Sequence, residues 1–187
     1  MSSYRRKLLV LAIGSLFAAW SGTYAQVNTE NLRKGGLEDG LHGTLSMDYN
    51  MVSGNSSFSQ LKGNFRLDYI ENRYYTFGVA EYQRAEEDER QFIDKGFIHL
   101  RGMYQLNDYF QGELFAQKEY NDFILLKDRN LLGGGLRSTI IQPDTALLEN
   151  AKVYLFLGTG FMWENEVINV RPQDETSIIR STNYLSV

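Results

Sequence analysis

From Leu41 onward the chain alternates. Leu41, Leu45, Met47, Tyr49 and Met51 fall on one face of an extended segment, and His42, Thr44, Ser46, Asp48 and Asn50 on the other. A period of two is the signature of a strand with two unlike faces. The next segment repeats it, with Leu61, Phe65, Leu67 and Tyr69 against Lys62, Asn64, Arg66 and Asp68. A fold at Val52 to Ser57 then sets Asp48 opposite Lys62 and His42 opposite Asp68, pairs that cross-strand contact favours. A third strand, from Tyr74 to about Arg84, returns after Glu71-Asn72. It is expected to carry Tyr75, Phe77 and Val79 outward, with Glu81 and Gln83 on the same face near the loop end.

The densest pattern runs from Gly96 to Arg137. With Leu106, Asn107 and Asp108 as a turn, Arg101 falls opposite Glu113, Lys95 opposite Glu119, and His99 faces Phe115. The other face then pairs Tyr104 with Phe110, Leu100 with Leu114, and Ile98 with Ala116. A loop from Asn121 to Asp128 returns the chain, so that Arg137 lies on the far side of Glu113, Leu136 beside Leu114 and Ile140 beside Phe110. Charge collects on one side and apolar bulk on the other. A seventh strand, Ala151 to about Trp163, sends Val153, Leu155, Leu157, Phe161 and Trp163 outward and Tyr154, Phe156 and Met162 inward beside Gly158 and Gly160. An eighth segment, Ile178 to Val187, alternates imperfectly.

A curled sheet with charge inside and grease outside reverses the arrangement of a soluble sheet. The expected fold class is therefore all-β: an antiparallel up-and-down transmembrane β-barrel of at least eight strands, complete or incomplete. The connections point the same way. Those after strands one, three, five and seven read as longer or more charged (Val52 to Ser57, Ala85 to Gln91, Asn121 to Asp128, Val167 to Thr176), and those after strands two and four as tight. The acidic run Glu86-Glu87-Asp88-Glu89 is expected to be a solvated loop. Tyr69, Tyr74, Tyr75, Tyr104, Tyr109 and Phe110 gather at the tight-turn rim, where an interfacial girdle belongs.

The N-terminus adds a compartment. Arg5, Arg6 and Lys7 precede an apolar run from Leu8 to Trp20, and small residues surround Thr23-Tyr24-Ala25. About 13 apolar residues are too few to span a bilayer as a helix, so residues 1–25 read as a cleaved secretory signal. Residues 26–36 are a polar lead, and residues 37–187 form the barrel domain. After cleavage the chain carries 16 Lys+Arg against 23 Asp+Glu, or −7. That balance, with no basic run or RNA-binding signature in the sequence, argues against nucleic acid as a partner. Cysteine is absent in a compartment that would permit disulfides, which leaves stability to a hydrogen-bonded barrel. Outer-membrane lipid and the barrel-assembly machinery are the expected partners, with small solutes or ions as further candidates.

The candidate site is the inward set Lys95, Arg101, Glu113, Glu119 and Arg137. It is read as a lumen network in which charges satisfy one another, because buried charges must pair; a narrow pore or an ion site is the functional alternative. Gly133 and Gly135 face inward beside it and make room for Phe115 or for curvature, while Gly134 faces out. No phosphate loop is present, since the glycines lack a Gly-Lys-Ser/Thr ending. With no cysteine and two histidines on different strands, neither a metal site nor a cofactor is expected. A barrel lipase would need a Ser–His–acid set at the rim; His99 lies mid-strand and His42 reads as a surface pair with Asp68. No catalysis is expected.

The run Arg129-Asn130-Leu131-Leu132-Gly133-Gly134-Gly135-Leu136-Arg137, with its Arg, Leu, alternating glycines and second Arg, resembles the YdiY-type family of salt-induced outer-membrane proteins. Ile179-Arg180-Ser181-Thr182-Asn183-Tyr184-Leu185-Ser186 is similar to a later strand of that family. The resemblance implies an outer-membrane barrel of envelope or salt-stress type, with a structural or small-solute passage role and no enzymatic residue to carry over. Members tend to run longer, and barrels commonly finish on an aromatic residue, whereas this sequence finishes Leu185-Ser186-Val187; a C-terminal truncation is the expectation. The alternatives are a periplasmic lipocalin-like lipid-binding barrel with its apolar face inward, or a lipid-modifying barrel enzyme.

Overall fold

The computed structural model describes residues 30–88, 90–141 and 154–186. They form one antiparallel sheet of eight strands in the order β1-β2-β3-β4-β5-β6-β7-β8. The strands are β1 (Gly40–Val52), β2 (Phe58–Glu71), β3 (Tyr74–Glu87), β4 (Arg90–Gln105), β5 (Phe110–Asn121), β6 (Leu126–Ile141), β7 (Leu155–Ile168) and β8 (Asp174–Ser186). Each pairs with its sequence neighbours, and β1 and β8 are the two edges among the described residues, so the sheet is not closed. It is nevertheless strongly curled. Tyr184 of β8 donates to Glu113 of β5 at 2.9 Å, a contact that skips β6 and β7 and is possible only across a concave interior. The expected signal at residues 1–25 lies outside the described residues.

The polarity is inverted as the alternation requires. Leu114 is 72% exposed, Leu100 54% and Leu132 59%, whereas Arg101 is 3% exposed, Glu113 7% and His99 0%. One apolar cluster of the interior is Phe77, Val79 and Met103, with Leu32, Tyr75 and Phe97 against them; Leu126, Leu131 and Met162 are buried apart from it. Strands are longer than a membrane crossing needs. The 16 residues of β4 extend roughly 50 Å at about 3.3 Å per residue. At one end the outward face accordingly turns polar: Lys118 binds Asp128 at 2.8 Å and Tyr120 donates to Asp94 at 2.9 Å. The Lys118 hydrogen bond holds the Asp128 carboxyl below its usual range. Burial, with Asp94 beside it, pushes the Tyr120 phenol up to about 12.

Four expectations need correction. The first is the register of β4 on β5, which differs by two residues: Arg101 lies opposite Phe115, Lys95 opposite Asn121, His99 opposite Gln117, Leu100 opposite Ala116 and Ile98 opposite Lys118. The turn is longer than three residues. Leu106 N–H donates to the Phe110 carbonyl, and Asn107 Oδ1 accepts from the backbone of Tyr109 and Phe110, so the reversal spans Leu106 to Phe110. A two-residue slip preserves which side chains share a face and changes only who meets whom. The register of β5 on β6 also differs by two from the expected one: Arg137 lies opposite Gln111, Leu136 opposite Gly112 and Ser138 opposite Phe110. The β1–β2 register is as expected, with Asp48 opposite Lys62 and His42 opposite Asp68.

The second is the face of β3. Phe77 and Val79 are buried in the interior, and Tyr75 turns inward to donate to Asp68 at 2.8 Å. Its outward face carries Thr76, Gly78 and Ala80 instead, with Leu100 of β4 leaning over Gly78. Tyr75 therefore leaves the set of aromatic residues expected at this rim, of which Tyr74 and Tyr104 lie 4.6 Å apart with rings tilted by 44° and Tyr69, Tyr109 and Phe110 stand exposed.

The third is the acidic run. Glu86 and Glu87 extend β3 rather than forming a loop, and Asp88 turns the chain with φ 47 and accepts from Ser57 N–H at 2.7 Å. Arg84 donates to Glu86 at 2.7 Å, which lets the ladder continue through like charges.

The fourth is the contrast of loop lengths between the rims. Residues 53–57, 122–125 and 169–173 connect strands at one rim and 72–73 and 106–109 at the other, so the turn after β2 is as tight as expected, but none of these connections at either rim exceeds five residues. The expected β6–β7 connection around Pro143 lies outside the described residues.

Candidate functional site

The concave face carries charge in three tiers set by strand register. In the middle tier three groups converge on Glu113, two as hydrogen-bond donors and one as an ion-pair partner. Arg33 Nη2 lies 2.7 Å from it, Arg101 Nη1 3.5 Å, and the Tyr184 hydroxyl 2.9 Å. Arg101 also sits over the Phe115 ring at 5.3 Å. Beside them His99 is stacked near Phe97 and Phe115 and shares a hydrogen bond with Gln117 at 3.1 Å. The sequence expectation of an Arg101–Glu113 pair survives although the two are not cross-strand partners, because a guanidinium reaches the diagonal position. Glu113 stands opposite Met103 on β4 and Gly135 on β6.

Arg33 is the residue that the alternation could not reveal. It belongs to the polar lead, which is not a free tail between Asn31 and Gly36 but enters the concave face. Arg33 donates to Gln111 and to the Met103 sulfur, each at 2.6 Å, and Arg66 donates to the Leu32 carbonyl at 2.6 Å. Arg66 in turn grips Asp68 through two bonds of 2.7 and 2.6 Å and lies over Phe77 at 4.9 Å. A single Arg in a polar stretch has no period to mark it.

A second tier forms around Arg129. It binds Glu119 at 2.6 Å, Glu166 through Nε at 2.6 Å, and Glu164 at 3.4 Å. Arg180 completes it at 2.6 Å from Glu164. The expected partner of Glu119 was Lys95. Lys95 instead stands exposed opposite Asn121, and Arg129, opposite Glu119 across β5–β6, takes the carboxylate. One guanidinium can serve several carboxylates because its five donors form a planar fork. Arg129 was legible as part of the Arg–Leu–Gly run but not as the hub of a network.

The third tier is Arg137, whose guanidinium lies over the Phe156 ring at 3.9 Å. Gly133 is where Phe115 and Met162 meet: an added Cβ would fall 2.5 Å from Phe115 Cζ and 2.8 Å from Met162 Cβ. At Gly135 it would fall 2.5 Å from the Thr159 carbonyl oxygen. The inward glycines thus make room for a ring and for a close approach of β6 to β7. Leu131, between them and Arg129, is buried opposite Gln117 and Glu164.

These tiers divide the interior into two chambers. One, of about 380 Å³, opens at the rim of the 122–125 turn and is lined by Lys62, Glu81, Lys95, Glu119 and Tyr120 among others. The other, of about 550 Å³, opens at the opposite rim and is lined by Arg33, Lys34, Gln111, Arg137, Tyr154 and Phe156 among others. Among the described residues no group of three or more His, Cys, Asp or Glu side chains is placed to hold a metal ion.

A family model described as a protein of unknown function, DUF481, matches residues 45–183. Comparison with curated proteins and with solved structures gives no match.

Proposed function

The chain belongs to the DUF481 family, and on that premise we propose that it is an integral outer-membrane β-barrel protein of the cell envelope. The observation that carries the reading is the inverted polarity: Leu45, Met47, Ile98, Leu100, Leu114, Leu132, Phe161 and Ile179 stand exposed around the convex face while the ionic groups are buried. An apolar surface of that extent needs a covering, and a strand can cross lipid only when its neighbours satisfy its backbone. The lipid belt fixes the barrel, and the three tiers of ion pairs and rings hold its shape from inside. Its role is structural, in envelope or salt-stress adaptation. The middle tier, with Leu32 and Arg33 inserted, separates the two chambers, so solute passage would require that lead segment to withdraw.

The reading assigns no catalysis. His99 is inaccessible and stacked near two rings, and the His42 ring is bonded to the Glu38 carbonyl at 2.8 Å. Export begins with the secretory signal, and the barrel-assembly machinery inserts the strands. Fractionation of expressing cells tests the proposal. Extraction from the outer membrane only with detergent, with gel mobility that shifts on heating, is the expected result; release by osmotic shock overturns it.

A further inference from the structure

We propose that the lead residues Leu32 to Gly36 are a hinged plug between the two chambers, and that Glu113 exchanges Arg33 for Arg101 when the plug withdraws. The segment lies outside the sheet. Among the described residues no backbone-to-backbone hydrogen bond ties residues 33–39 to a strand. Side chains seat it instead. Leu32 packs against the Phe77, Val79 and Met103 cluster, and Arg66 donates to its carbonyl at 2.6 Å. The Lys34 N–H donates to the Tyr75 hydroxyl at 3.3 Å, and Arg33 reaches Gln111 and Glu113. Leu32 lines one chamber and Arg33 the other, so the pair forms part of the partition. A segment held by a few side-chain contacts opens at lower cost than a strand in a ladder.

The link to β1 is a hinge. Gly36 and Gly40 stand at φ +72° and +131°, and no atom lies within 4 Å of where a Cβ would sit at Gly35, Gly36 or Gly40. Glycine permits that backbone, and rotation there disturbs no packing. The exchange removes the main obstacle to withdrawal, since a buried carboxylate left bare is costly. Arg101 Nη1 lies 3.5 Å from Glu113 Oε2, the same oxygen that Arg33 binds at 2.7 Å. That is too long for a hydrogen bond of good geometry and short enough to become one by a small shift. The Tyr184 hydroxyl meanwhile holds the other oxygen, Oε1, at 2.9 Å. Glu113 thus keeps a cation whether the lead is in or out, and two satisfied arrangements of one element make a switch. The seating of the lead is independent of what covers the convex face; its role as a gate rests on the membrane reading.

The chain has no cysteine, so an introduced thiol is the only one in the molecule. In the full mature chain in detergent, Leu32→Cys is expected to react with a water-soluble maleimide about tenfold more slowly than Lys34→Cys, at an exposed position. Glu113→Gln removes the charge that holds Arg33 and is expected to speed Leu32→Cys about tenfold. A Met162→Cys thiol, buried elsewhere in the interior, is expected to stay slow in the same background. Arg101→Gln is expected to slow Leu32→Cys instead, because the departing plug would leave Glu113 without a cation. If glutamine opens Met162→Cys too, Arg101→Met, which keeps the apolar stem, takes its place. Leu32→Cys as fast as Lys34→Cys, or a rate indifferent to Glu113→Gln, overturns the plug. Faster reaction on loss of Arg101 with Met162→Cys still slow overturns the exchange. In planar bilayers Glu113→Gln is expected to raise ion conductance; no rise once the Leu32→Cys thiol has opened overturns the gate. Release of the chain by osmotic shock would count against the membrane reading alone, since the alkylation rates require no bilayer.

Discussion

The two ends of the interior are built from the same strands and differ in how charge is settled. At the 122–125 end Arg129 and Arg180 hold Glu119, Glu164 and Glu166, and the chamber above is balanced. At the other end Arg33 and Arg101 converge on the one carboxylate of Glu113, and Arg137 lies over the Phe156 ring. A neutral set of ion pairs is a structural filler. The comparison teaches that one interior holds its cations in two ways, by several carboxylates around one guanidinium or by one carboxylate shared between two guanidinium groups beside aromatic rings.

The wall between the ends is where this contrast breaks most severely. Glu113→Ala leaves Arg33 and Arg101 without their shared carboxylate in a buried site, and is expected to cost about 3–5 kcal/mol, read as loss of the heat-shifted band or by denaturant unfolding in detergent. A smaller loss would mean that water reaches the wall and joins the two chambers. Gly135→Ala drives a methyl group into the Thr159 carbonyl and is expected to cost about 1–3 kcal/mol. Gly133→Ala is expected to cost about as much, because the tip of Phe115 can yield but Met162 Cβ, 2.8 Å from the added methyl, is tied to the β7 backbone; a much smaller effect would show that β7 gives way there.

At the balanced end, Arg129→Ala leaves Glu119 and Glu166 without the guanidinium they share. The expected loss is about 1–3 kcal/mol, partly restored by raising salt toward 1 M, where screening shortens to about 3 Å. No salt rescue would argue that the carboxylates find other donors. Last, Lys95→Gln should change stability by less than about 0.5 kcal/mol, since Lys95 is exposed and opposite Asn121. A large loss would restore the Lys95–Glu119 pair that the register denies.

What the sequence determined by itself was the side on which residues stand, for each strand whose faces it assigned except β3. Side-chain direction alternates with a period of two, so a single strand declares its own faces, and Arg101, Glu113, Arg137, Gly133 and Gly135 were legible as inward from alternation alone. On β3 both faces carried apolar residues, and the larger ones, Phe77 and Val79, filled the interior because Met103 and Leu32 were there to pack against. Which residues meet was left to the tertiary structure. Register depends on turn length, and the bonds of Asn107 lengthened the β4–β5 turn enough to move every partner by two. The insertion of Arg33 and the gathering of carboxylates around Arg129 were likewise decided only by curvature, which brings into reach groups that no periodicity along the chain connects.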